Sequence, residues 1–348
     1  MLAAVVLVGS LGLLGPRAAA HMDFLAERRA YAQHHKMSLD DCADAMERRG
    51  FLRRAAEERV RFVRDLGVFP DHWQDIMEGV QDGPSQSPLD TDHSDKTGHI
   101  TPTTEWEALY EQFKGTGRSG TVLAPDLSEG PFYIEGEYIT RDVTFGQAGV
   151  PLYLHLGVYD SHTCEPLPAG TLVEIWGANA TGTYSGVGVD GDPDNVHTHF
   201  LRGLQPLSDA GSTWFRTIFP GHYASRTNHV HLLVHVPDPA ATQTFANGTV
   251  AGHLATWTGQ LFFDQALIDA VETVPPYSSN TLPMTKNAAD VFLANEAVGG
   301  SESLWDPMVE WAWVDGAQKA RSGVVAWIAL GVNVSEARSV EVVGVYSG

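Results

Sequence analysis

The chain has 348 residues, 43% of them hydrophobic, enough for one large domain or two ordinary ones with a real core. Its 22 Lys and Arg against 43 Asp and Glu give a formal net charge of −21, which disfavours nucleic acid and anionic membrane as partners. Residues 23–66 hold ten basic and nine acidic side chains and residues 67–348 eleven and thirty-four, so a neutral or weakly charged substrate is favoured over a polyanion.

The opening MLAAVVLVGSLGLLGPRAAA (1–20) reads as a secretory signal peptide: an apolar run too short to span a bilayer, then Ala18-Ala19-Ala20 as the cleavage site. Arg17 follows the run instead of preceding it, so an uncleaved anchor is the competing reading. Residues 21–79 read as a short N-terminal helical segment. Ser38-Leu39-Asp40-Asp41 forms an N-cap box before a helix that stops at Gly50, and Phe51 to Leu66 gives a second helix stopped at Gly67. Arg48-Arg49 and Arg53-Arg54 lie on solvated faces or mark a processing site. Residues 80–117, rich in Gly, Pro, Ser, Thr and Asp, read as a linker or long loop in which His93 and His99 face solvent. The only two cysteines, Cys42 and Cys164, are expected to be bridged in an oxidising compartment, with two separate buried thiols as the alternative.

From residue 118 to 290 the texture is β. Leu152, Leu154, Leu156 and Val158 alternate, as do Val173 and Ile175, Trp214 to Phe219, and Val230, Leu232, Val234 and Val236. The fold class expected is mainly β: a β-sandwich catalytic domain preceded by the short helical segment. Gln260 to Asp264 looks like a last core strand and Asp264 to Val271 like a short helix. Residues 291–348 read as a C-terminal extension packing on the sandwich, with the apolar run Val324 to Val334 covering an edge. Asn179, Asn247 and Asn333 sit in glycosylation triplets.

Along a strand, His229 and His231 point to one face and Val230, Leu232 and Val234 to the other. Alone, this H-x-H is compatible with a metal site or with polar decoration. The segment offers no carboxylate or cysteine, but Tyr223 stands in a Pro-Gly-x-Tyr turn and Tyr184 in an upstream loop. Phenolate is a hard anionic donor suited to ferric iron, and two phenolates with one hydroxide balance a 3+ charge that two imidazoles leave untouched.

The series E-x-W-x-A-N-x-x-G-x-Y-S-G, then F-R-T-x-x-P-G-x-Y, then R-x-x-H-x-H before an apolar strand resembles the intradiol ring-cleavage dioxygenase superfamily, in texture its secreted fungal members. Leu123 to Tyr133 resembles the segment that closes over the substrate pocket there, and the likeness spans about residues 120–265. It implies Fe(III) held by Tyr184, Tyr223, His229 and His231, with Tyr223 the ligand that substrate displaces. Tyr223 then acts as a base, and Arg226 stabilises negative charge on the bound ring. The reaction implied is cleavage of a catechol between its two hydroxylated carbons by O2, giving cis,cis-muconate-type products. Its partners are a small catechol and O2, with no nucleic acid or membrane, in a monomer or homodimer outside the cell. A glycan at Asn179 would crowd the Tyr184 loop, so that triplet is expected to be unused.

A second pair, His197-Thr198-His199, supports a rival reading in which both H-x-H pairs hold copper or zinc. Asp190 to Asp194 lacks a regular calcium-loop spacing and reads as a solvated acidic loop. A third reading is a secreted, non-catalytic β-sandwich binding module whose aromatic residues, Trp176, Trp214 and Tyr184 among them, contact a ligand, with Trp176 and Trp214 as core-filling side chains the competing reading.

Overall fold

The computed structural model describes residues 39–51, 53–54, 57–58, 61–62, 89, 92–94, 121–122, 129–188, 192–297, 306–314 and 319–346. The expected signal peptide, most of the linker with His99, the start of the acidic loop (189–191) and the end of the second helix lie outside them; Asp192 and Asp194 of that loop are described and exposed. A helix α1 spans Asp40–Arg48 and ends at Gly50 with a positive φ of 70°. No side chain caps its N-terminus, and Ser38 lies outside the described residues. The described residues between 51 and 62 are helical too. Among the described helices none is long and apolar enough to cross a membrane.

Two five-stranded sheets follow, so the described residues are mainly β, with few helices and no closed barrel among them. The first contains β1 (Thr121–Val122), β3 (Pro151–Asp160), β6 (Ser212–Ile218), β11 (Glu310–Trp313) and β12 (Val324–Val332). The second runs in the order β13 (Arg338–Ser339), β10 (Leu254–Phe262), β7 (His229–His235), β4 (Leu172–Trp176), β5 (Arg202–Pro206). Alternation decides which side chains meet: Leu152, Leu154 and Leu156 of the first sheet join Val173, Ile175, Val230, Leu232 and Val234 of the second in one hydrophobic cluster. Helix α2 (Gln265–Glu272), with Asp264 at its N-cap, adds Leu267, Ile268 and Val271 to that cluster.

One expectation is overturned by the first sheet. The run from Val324 does not cover an edge; β12 lies inside, parallel to β3 on one side and paired with β1 and β11 on the other. Buried on nearly all positions, its continuous apolar sequence suits a strand covered on both faces. His93 is a second correction. It is buried, with its ring nitrogens 2.7 Å from an Asp264 carboxylate oxygen and 3.1 Å from Asp306. Two carboxylates replace the water its polar context suggested.

Cys42 and Cys164 form a disulfide that spans 122 residues and ties α1 to the end of β3, beside buried Leu39, Met46 and Tyr159. In the chain-entropy picture a loop of that length contributes about 4–5 kcal/mol. Replacing both cysteines by alanine is expected to lower the thermal midpoint by that measure while the far-ultraviolet β signature persists.

Candidate metal centre

The face of the second sheet away from the shared core carries His229, His231, Leu233 and His235 on β7, with Glu174 and Trp176 on β4 and Gln260 on β10 beside them. All seven residues of β7 are buried, so this face is no half-exposed strand edge. It is covered by residues 129–135, whose strand β2 (Ile134–Glu135) pairs with β14 (Gly344–Val345). Trp176 lies flat on His231, 4.7 Å between ring centroids and 8° between planes, so it flanks the site instead of filling the main core.

Tyr184 and Tyr223 come from the loops after β4 and β6. These loops touch closely because both carry glycine at the contact: a Cβ on Gly182, whose φ is +83°, would lie 2.4 Å from the His222 carbonyl oxygen, and one on Gly221 would lie 2.2 Å from the Asn179 carbonyl oxygen. Asn195 fixes the first loop by donating to the Tyr184 and Val187 carbonyls at 2.7 Å. Asn179 is engaged as well, donating to Gln147 and accepting from Thr181 and Thr183.

Four donor atoms converge. Tyr184 Oη is 3.4 Å from His229 Nε2 and 3.1 Å from His231 Nε2, Tyr223 Oη is 3.3 Å from His229 Nε2, and the two Nε2 atoms are 3.2 Å apart. His229 Nδ1 lies 2.6 Å from the Thr227 carbonyl oxygen, which only an N–H satisfies, so its Nε2 turns a lone pair into the cluster. Burial, aided by the Arg226 charge, holds His229 well below the ordinary imidazole range; burial and then His229 do the same to His231. Burial and neighbouring Tyr223 push Tyr184 well up, while Tyr223 is raised by burial against the pull of Arg226. Two neutral imidazoles and two phenols with lone pairs facing one point fit a hard, highly charged cation, whose field is what removes phenol protons in such a setting.

Arg226 stands beside this point with Nη1 3.5 Å from Tyr223 Oη. Its Nε donates to Asp290 Oδ2 at 2.9 Å, Nη2 donates to Gln260 Oε1, and its guanidinium sits 4.1 Å over the Phe292 ring. Asp290 is fully buried, accepts from the Thr227 amide at 2.7 Å, and caps helix α3 (Val291–Ala297) through the amides of Phe292 and Leu293. Phe132 stacks on Tyr184 at 4.4 Å and meets Tyr223 edge-on at 5.7 Å. Of the segment expected to close over the site, residues 123–128 lie outside the described ones.

Sequence reasoning missed Gln260, Asp290 and Arg202. Gln260 pairs in register with His231, so strand parity could have found it. Arg202, buried, donates to the Ser185 and Phe132 carbonyls and joins the Tyr184 loop to its cover; a charge inside a strand was its signal. Asp290 carries no local signal. The second histidine pair does not join the centre: His197 is exposed, and His199 faces Glu137 at 2.7 Å among Tyr138, Phe145 and Tyr346. Among the described residues no group of three or more His, Cys, Asp and Glu side chains forms a metal-sized cluster, which removes the geometry a two-pair copper or zinc site needs.

His235 belongs to a buried polar group behind the centre, with Nε2 2.8 Å from Glu174 Oε2, which also accepts from Tyr133 Oη at 3.1 Å. Burial pushes His235 down to about 4, while burial and the nearby Glu137 hold Glu174 well above the carboxylate range. The folded pair therefore keeps one proton, on Glu174. The unfolded chain binds one between its ordinary values of about 4.5 and 6.5, two below and none above. The pair's contribution is thus level in that window and declines as pH rises past 6.5 for as long as Glu174 keeps its proton, by at most about 1.4 kcal/mol per unit. Urea midpoints measured from pH 6 to 9 are expected to fall less in Glu174→Gln than in the unaltered protein.

No family model matches the chain. It is 27% identical over 176 residues to catechol 1,2-dioxygenase 1 of Acinetobacter lwoffii, covering 44% of this chain and 52% of that one. It is 25% identical over 177 residues to a chlorocatechol 1,2-dioxygenase of Pseudomonas putida, covering 43% and 65%. The chain thus spans between half and two thirds of the curated relatives it matches. Among solved structures, an intradiol ring-cleavage dioxygenase from Tetranychus urticae is 28% identical, with 62% of this chain and 96% of that one covered and a TM-score of 0.47. The two curated relatives support, at low identity, the superfamily its motifs resemble: the chain is similar to the intradiol ring-cleavage dioxygenases.

Proposed function

We propose that the chain is a secreted β-sandwich dioxygenase that holds Fe(III) through Tyr184, Tyr223, His229 and His231 and cleaves catechols between their hydroxylated carbons with O2. One observation carries the reading: two phenol oxygens and two imidazole nitrogens from three separate segments gather in one buried cluster, neighbouring donor atoms 3.1–3.4 Å apart, with no carboxylate among them. The bound ferric ion supplies Lewis acidity, which lowers the pKa of catechol hydroxyls and phenols alike and draws electron density from the ring. The Cys42–Cys164 bridge supports an oxidising compartment.

The protein's own groups divide the remaining work. Tyr184 is deeply buried and pinned by Phe132 and the Asn195 clamp, so it stays. Tyr223 is only half-buried, next to exposed Ala224 and Ser225, and its freed Oη is the base that takes a catechol proton. Arg226, fixed by Asp290 and Gln260, presents a cation where negative charge grows on the ring. Phe132 and Trp176 exclude water from the donors. Iron-loaded protein is expected to be red-brown from tyrosinate-to-ferric charge transfer, and oxygen uptake over a panel of catechols is expected to yield muconates. A colourless iron-loaded protein, or a semialdehyde from cleavage outside the diol, overturns the reading.

A further inference from the structure

His222 and Glu272 have no part in the donor set, yet they hold the loop that carries it. Glu272, at the end of α2, accepts with Oε1 from two side chains, His222 Nδ1 at 2.9 Å and Asn228 Nδ2 at 2.9 Å. His222 directly precedes Tyr223, and Asn228 directly precedes His229. A single carboxylate oxygen therefore ties together the residues next to two of the four donors. His222 Nε2 also meets the Leu282 carbonyl oxygen at 2.9 Å, Asn280 donates to the His222 carbonyl at 2.8 Å, and Asn228 donates to the Pro220 carbonyl at 2.7 Å. All three groups are shielded, with side-chain exposures of 5% for His222 and 11% for Glu272 and none for Asn228 as a residue.

We infer that Glu272, acting through His222 and Asn228, is a positioning residue that sets the spacing between Tyr223 and His229. Between the two anchors only Ala224 and Ser225 face solvent, and the Tyr223–Arg226 bridge closes the turn. With both flanks fixed to α2, any movement of Tyr223 away from a bound metal would be confined to its side chain, the main chain being held in place. Without the tie, the loop is free to carry Tyr223 away and the donor geometry becomes plural. Second-neighbour contacts of this kind are worth about 10- to 100-fold in metal affinity or activity at characterised centres.

The inference rests on the proposed ferric centre, and its test separates the two. Unaltered protein, Glu272→Gln, His222→Asn and the double variant are loaded with ferric iron and compared by visible spectrum, by iron kept after dialysis against a chelator, and by thermal midpoint. The expected result is a shifted, broadened tyrosinate band and about tenfold less retained iron in each single variant, with the double variant no worse than Glu272→Gln, because the His222 tie is one of the two that end on Glu272. Asp269→Asn removes an exposed carboxylate of the same helix and is expected to leave the band unchanged. If either single variant fails to fold, the other carries the comparison, and a circular dichroism melt identifies the failure. An unchanged band and unchanged iron retention in a folded variant overturn the positioning role. Absence of the band in the unaltered protein instead overturns the ferric centre itself.

Discussion

Tyr184→Phe is expected to bleach the iron-loaded protein and abolish ring cleavage while leaving the fold intact. The substitution deletes one oxygen, the atom 3.1 Å from His231 Nε2 and 3.4 Å from His229 Nε2, and keeps the ring that stacks on Phe132 at 4.4 Å. Packing therefore changes little, and because burial disfavours an ionised phenol here, apo stability is expected to hold or rise slightly. What is lost is a fixed anionic donor, so iron retention should fall at least to the far end of the roughly 10- to 100-fold range seen for second-neighbour changes. Tyr223→Phe makes the discriminating partner: with its ring half-buried, it is expected to shift the band and cut turnover but to retain more iron than Tyr184→Phe. Equal colour in both variants and the parent removes the tyrosines from the centre.

Arg226→Gln is expected to lower kcat by about 10²- to 10³-fold, the usual effect of deleting one preorganised group that meets developing charge, with the tyrosinate band largely kept. The same change strips the partner from a fully buried Asp290, and an uncompensated buried carboxylate costs about 3–5 kcal/mol. Stability and catalysis are thus confounded in the single variant. Arg226→Gln combined with Asp290→Asn removes both charges and is expected to recover much of the thermal midpoint without recovering turnover. Recovery of turnover along with stability overturns the electrostatic role and leaves Arg226 a structural residue.

The donor set was legible because each part has a local signature. H-x-H parity on an apolar strand predicts two imidazoles on one face, and both tyrosines sit beside glycines that the close loop contact needs. The groups that steady those donors were not legible, since their partners come from distant segments: Asp290 meets Arg226 and Glu272 meets His222 across 64 and 50 residues of sequence. His93 misled for the same reason, as a polar neighbourhood in sequence says nothing of the carboxylates that Asp264 and Asp306 bring to it. The apolar run of β12 gave strand character correctly but not its place, because burial on both faces and coverage of an edge read alike in one dimension.

That placement of β12 bears on how the protein is made. Its parallel partner β3 emerges from the ribosome about 170 residues earlier, with Leu152 waiting for Val324, and at about 5–20 residues per second the interval is on the order of ten to thirty seconds. During that time the long edge of β3 that β12 later occupies has no strand of its own chain to pair with, while the second sheet, assembled from residues 172–262 apart from the short β13, is nearly complete. The order of synthesis therefore builds the donor-bearing sheet first and leaves the supporting sheet open to wrong partners until near the end of translation.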